Sequence, residues 1–168
     1  MVMSAAEAME QYGPSEITTD RILTVEDPAY TDENVALVTG AASGIGRAIS
    51  LCLAGNGLTV AGVDVDTDGL DEVTDRAETL GLPGGIEPVE ADLTEESDIE
   101  RAVEQAADIG DLRYLANVAG LQTIAPIAEF PTEKYDLMHD VMQRAPLLLS
   151  KAAWPHLEES GGVIGNMC

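Results

Sequence analysis

The run Thr39-Gly40-Ala41-Ala42-Ser43-Gly44-Ile45-Gly46 follows an apolar stretch, Val35-Ala36-Leu37-Val38, and opens a segment whose apolar residues recur at helical spacing. A strand, a glycine-rich turn and a helix in that order leave few folds open. Glycine lets the backbone turn sharply or approach a ligand with no Cβ in the way. The helix start beyond it presents N–H groups that have no acceptor within the helix. Gly40, Ser43, Gly44, Ile45 and Gly46 therefore form a candidate phosphate cradle, suited to the pyrophosphate of a dinucleotide. Spaced glycines alone mean little in a chain with 16 of them, so the flanking pattern carries the weight. Ile45, Ala48, Ile49, Cys52 and Leu53 predict one apolar face laid on a sheet, with Cys52 in the helix core and Gly55 and Gly57 ending the helix.

The next segment, Leu58 to Val65, reads as a second buried strand with Asp64 near its end, 24 residues after Gly40. A carboxylate there accepts hydrogen bonds from the hydroxyls of an adenosine ribose and repels a 2′-phosphate, which favours NAD over NADP. The competing reading, a solvated acid at a strand end, has weight because 31 of 168 residues are Asp or Glu.

That acidity bounds the partners. A net charge of −23, with Lys134 and Lys151 the only lysines, excludes nucleic acid and anionic membranes as natural partners. Acid dispersed along the whole chain points to a surface adapted to high salt, and so to a halophilic source. A length of 168 residues suits about one domain with a real core. No apolar run reaches the roughly 18 residues of a membrane span, no basic start leads into a signal core, and two cysteines make no disulfide framework; a cytoplasmic location is expected.

Residues 1–33 read as an acidic N-terminal extension, mobile or loosely docked. Residues 34–168 alternate strands and helices, the pattern of a doubly wound parallel α/β sheet. After the second strand come a helix from Asp66 to Leu80, a third strand from Ile86 to Ala91, and a helix from Glu95 to Ile109 capped by Thr94. A fourth strand, Leu112 to Val118, closes on Asn117-Val118-Ala119-Gly120. A long helix from Thr132 to about Leu157 carries Tyr135, Met138, Met142, Leu149 and Ala152 on one side and is expected to bend at Pro146. His156 is read as a helix-end residue. A fifth strand spans Val163 to Met167.

Taken in order, the Thr39–Gly46 cradle, Asp64, the pair Asp92-Leu93, and Asn117-Val118-Ala119-Gly120 resemble the short-chain dehydrogenase/reductase family from Asn34 to Cys168. The resemblance implies a Rossmann-type fold, NAD as cofactor, Asp92 and Leu93 beside the adenine, and Asn117, Ala119 and Gly120 in the cofactor site. The stretch Ala119-Gly120-Leu121-Gln122, followed by Ala125 to Lys134, is similar to bacterial 3-hydroxybutyrate dehydrogenases. That narrower likeness implies that Gln122 holds a substrate carboxylate, a role an uncharged amide donor can fill.

The family's catalytic groups, a serine and a Tyr-x-x-x-Lys helix, have no counterpart in these residues. None of Tyr12, Tyr30, Tyr114 and Tyr135 has a lysine four positions on, and His139 stands four after Tyr135. Tyr135 and His139 are read as neighbours on a helix face, and Met142 replaces the family's helix asparagine. The sheet is expected to be truncated after five strands, the family's serine falling at the position after Cys168, and this chain alone is expected to be inactive. Three functions compete on these grounds. One is the cofactor-binding part of an NAD-dependent oxidoreductase, homo-oligomeric when intact, that interconverts a small hydroxy acid and its ketone. The others are a non-catalytic dinucleotide-binding fragment or split-enzyme half, and a 3-oxoacyl-carrier reductase.

Overall fold

The computed structural model describes residues 17–167. Five strands make one sheet: β1 (Asn34–Thr39), β2 (Thr59–Asp64), β3 (Ile86–Glu90), β4 (Asp111–Asn117) and β5 (Val163–Asn166), in the order β3-β2-β1-β4-β5. Every pairing is parallel, with Val35 opposite Thr59 on one side and Leu112 on the other. Each crossover carries a helix: α1 (Gly44–Gly55), α2 (Thr67–Leu80), α3 (Glu96–Ile109), and the pair α4 (Thr132–His139) and α5 (Ala145–Ser160). This is the doubly wound Rossmann-type sheet expected from the alternation of elements.

Strand β1 is buried along its whole length, as a central parallel strand covered on both faces must be. Val35 and Leu37 pack with Ile99, Val103, Leu149 and Leu157 of α3 and α5. Ala36 and Val38 point the other way, onto Leu51 and Ala54 of α1 and Val73 of α2. The period of two along one strand thus builds both cores.

The buried stripe of α1 differs from the expected one. Gly46, Ser50, Leu51 and Ala54 face the sheet, whereas Ile45 is exposed and Cys52 lies beneath residues 17–33, its Sγ 3.8 Å from the Leu23 carbonyl. The cause is Gly46: a Cβ there would collide with the Gly40 carbonyl, so the helix is rotated to bring its glycine against the turn. Helix α2 is capped as its sequence allows, the Asp66 carboxylate accepting from the Gly69 amide and Gly81 closing the C-terminus at φ 61°. Thr94 does not cap α3; its hydroxyl donates to Asp92 Oδ1 at 2.7 Å, and Glu95 holds the cap position without a side-chain bond.

The long helix is continuous from Thr132 to Ser160 but widens just ahead of Pro146, where a single bend was expected. A wide turn, Asp140–Arg144, joins α4 to α5, and Pro146 follows it directly, so the widened turn takes up the irregularity the proline imposes. The buried stripe is Ala145, Leu149, Ala153 and Leu157, while Tyr135 and Met142 are exposed. The helix runs past Pro155 to Ser160, so His156 lies inside it and not at its end.

Of the acidic extension, residues 1–16 lie outside the described residues. Residues 17–33 run over the outer side of α1 and α2, and Tyr30 meets Tyr114 of β4 edge to face at 5.8 Å. Among the described residues, no helix is long and apolar enough to cross a membrane.

Candidate functional site

The C-terminal ends of β1, β2 and β4 open onto a cavity of about 520 Å³. A parallel sheet places its ligand here, outside the carboxyl ends of its strands where the strand order reverses. Gly40, Ser43, Gly44, Ile45 and Gly46 form one wall, Asp64, Asp92 and Leu93 a second, and Ala119 and Gly120 a third. The expected site residues are thus brought together, with two exceptions. Asn117 is buried beneath the cavity, and Gln122 stands exposed one residue past Leu121, the last residue of that loop to line it.

Gly40 (φ 71°) and Gly44 (φ 53°) occupy the left-handed region that side chains disfavour. A Cβ on Gly40 would sit 2.9 Å from the Cα of Ala119, so the turn can close on β4 only with glycine. A Cβ on Gly44 would meet nothing within 4 Å, leaving the start of α1 open to a ligand. The amides of the first helical turn have no acceptor inside the helix and are directed to this opening, which suits an anion.

Thr39 is the group the sequence reading passed over. It is buried at the end of β1, and its Oγ1 accepts from the amides of Val118 and Ala119 at 2.9 and 3.0 Å. One hydroxyl therefore fastens the cradle to the loop after β4. Its signal was a hydroxyl residue ending an otherwise apolar strand. Val141, from the wide turn before α5, also lines the cavity.

Asp64 is half-buried and held on three sides: Oδ2 accepts from the Ala42 amide at 3.1 Å, and Oδ1 from those of Val65 and Asp66 at 2.8 and 3.1 Å. The carboxylate is fixed in place with acceptor capacity to spare. Asp92 is likewise built into its turn, accepting from the amide and hydroxyl of Thr94. Its own amide donates to Asp98, and that bond together with Arg101 holds the Asp98 carboxyl below the usual range. No lysine or arginine is among the described residues that line the cavity. Arg47 faces a neighbouring groove, 3.5 Å from Glu72.

Beneath the cavity, Asn117 Nδ2 donates to Asn166 Oδ1 at 2.8 Å, tying the ends of β4 and β5 together. Tyr135 and His139 are neighbours with ring centres 6.3 Å apart, and neither lines the cavity. The arrangement can capture an anion, recognise hydroxyls and shield an apolar ring. A larger cavity, about 1030 Å³, lies outside α1 and holds none of the second- and third-wall residues, so the smaller one is the candidate site.

Residues 34–168 match the family model described as short chain dehydrogenase. The chain belongs to the short-chain dehydrogenase family. Among its short-chain dehydrogenase relatives, the 3-oxoacyl-acyl-carrier-protein reductase FabG of Thermotoga maritima is 32% identical over 79% of this chain and 54% of its own length. The D-threitol dehydrogenase of Mycolicibacterium smegmatis is 33% identical over 86% of this chain and 56% of its own. A metagenomic short-chain oxidoreductase solved in complex with NADP superposes with a TM-score of 0.74 at 28% identity, covering 80% of this chain and 62% of that one. The chain therefore spans about half the length of the curated relatives it matches.

Proposed function

We propose that residues 34–168 are the cofactor-binding part of an NAD-dependent oxidoreductase that interconverts a hydroxyl and a ketone. The observation that carries this reading is Asp64. A carboxylate locked by three backbone amides beside an open helix start, in a cavity whose described lining holds no cation, suits a ribose diol and opposes a 2′-phosphate. When bound, the nicotinamide supplies the hydride chemistry. This chain's residues hold the dinucleotide: the α1 amides its pyrophosphate, Asp64 its adenosine ribose, Asp92 and Leu93 its adenine, and Ala119 and Gly120 the floor beyond.

For the substrate we favour a small 3-hydroxy acid such as 3-hydroxybutyrate, with Gln122 reaching its carboxylate. Support comes from Gln122 following directly on the lining residues Gly120 and Leu121. The relative that reduces 3-oxoacyl groups on a carrier protein favours a second reading, a carrier-bound substrate of the same 3-oxo pattern. The charge of −23 disfavours it, because an acidic carrier would meet an acidic surface. The dispersed acid also favours a salt-adapted setting.

Calorimetric titration of residues 1–168 with NAD and NADP tests the cofactor reading. NAD binding in preference to NADP is expected, and equal or reversed affinity overturns it. The same protein should show no turnover of 3-hydroxybutyrate, since no Tyr-x-x-x-Lys is present in it. NADH formation would sink that expectation.

A further inference from the structure

The family match begins at residue 34, yet residues 17–33 make ordered contacts with the domain. Asn56, just past the end of α1, is bound twice by this segment. Its Oδ1 accepts from the Val25 amide at 2.6 Å, and its Nδ2 donates to the Leu23 carbonyl at 2.7 Å. Beside it, Ile22 lies so close to Gly55 that a Cβ there would be 2.7 Å from Ile22 Cγ2. Further back the segment reaches α2, where the Arg76 guanidinium donates to the Ile17 carbonyl at 2.6 Å. At its other end, Thr59 of β2 donates its hydroxyl to the Asp32 carbonyl at 2.9 Å.

One stretch of chain thus bridges α1, α2 and β2 from outside. It also forms a wall of the 1030 Å³ groove between α1 and α2, and that groove shares Gly44 and Ile45 with the candidate cofactor cavity. The groove runs along α1 from Gly44 to Cys52, with the cradle at one end of the helix and the segment gripping Gly55 and Asn56 at the other. A helix of 12 residues moves as a rigid rod, so restraint at its C-terminal end limits motion at its N-terminal end.

We propose that residues 17–33 are a latch that pins α1 to α2 and stiffens the glycine cradle at the far end of α1, with Asn56 and Gly55 as its positioning residues. The latch tightens the site for whatever anion the cradle takes. Its effect on NAD affinity rests on the cofactor reading above.

Amide hydrogen exchange on residues 1–168 without nucleotide tests this. In Asn56→Ala and Gly55→Ala, exchange should rise about tenfold at Val25, the size of losing one or two hydrogen bonds or their packing equivalent. It should rise as well at Arg47, whose amide closes the first turn of α1 on the Ser43 carbonyl at 3.0 Å. Adding Ile22→Ala to Gly55→Ala makes room for the new methyl, and the double variant should exchange no faster than Ile22→Ala alone. A rise at Val25 with Arg47 unchanged makes the segment a passive tail and overturns the proposal. So does an equal rise at Leu37 in the sheet, which means general loosening, or no change anywhere. The same variants should bind NAD more weakly by the factor by which the competent cradle loses population, about tenfold at most. Failure of the unaltered chain to bind NAD would sink the cofactor reading and leave the exchange result to decide the latch.

Discussion

Replacing Asp64 by Asn tests the cofactor site with little disturbance to the fold. The asparagine oxygen can still accept from the Val65 and Asp66 amides, which lie 2.8 and 3.1 Å from Oδ1, while the amide nitrogen, a donor, stands opposite the Ala42 N–H and that one bond is lost. A hydrogen bond from a ribose hydroxyl to a charged acceptor contributes about 1.5 kcal/mol or more, so NAD should bind roughly tenfold more weakly. NADP should move the other way. Unit charges about 6 Å apart repel by about 3 kcal/mol at an effective dielectric constant of 20, and half-exposure and salt reduce this to about 1 kcal/mol. The NAD-to-NADP preference should therefore fall by roughly 2.5 kcal/mol, on the order of 60-fold. The ratio is the quantity to measure, by calorimetry with both dinucleotides, because any loosening of the cradle weakens both and cancels. An unchanged ratio would remove Asp64 from the ribose, whatever happened to the separate affinities.

Gly46→Ala forces a methyl against the Gly40 carbonyl, and the thermal midpoint should drop by the equivalent of about 3 kcal/mol, the upper range for overpacking; an unaltered melting curve would show that the turn can move aside. Asp98, held low by the Asp92 amide and then by Arg101, contributes stability that is present above the unfolded value near 3.8 and lost as pH falls through its lower folded value. Asp98→Asn should accordingly flatten the acid limb of a stability-against-pH curve below about pH 4, and a superimposable limb would refute the assignment. With a charge of −23, raising KCl from low to molar concentration should raise the thermal midpoint, and a falling midpoint would contradict the salt-adapted surface.

The parts of the site legible in the sequence are those made by contiguous residues under backbone constraint. Gly40, Gly44 and Gly46 needed no tertiary knowledge, because a strand that must turn tightly into a helix leaves little else, and Asp64 followed from counting one strand further. The rotation of α1 was illegible for a physical reason. Ile45, Ala48, Ile49 and Cys52 make the more apolar stripe, but Gly46 must touch the turn, and steric exclusion by a carbonyl outranks the burial of one isoleucine. That same rotation leaves Ile45 exposed on the outer groove, sets Ile49 at the edge between that groove and the sheet-side core, and puts Cys52 under Leu23. Residues 17–33 looked unstructured because their composition is acidic and broken by Pro28, yet composition reports only what a segment can bury by itself. Here backbone groups of Leu23 and Val25 are satisfied by Asn56, a residue more than thirty positions away, and no local pattern announces such a bond. The widening before α5 has a local origin: a proline ring in a regular helix clashes with the carbonyl four residues back, here that of Met142, and a widened turn over Asp140–Arg144 relieves the clash without ending the helix. That turn also brings Val141 to the cavity, beside the wall that Ala119 and Gly120 form.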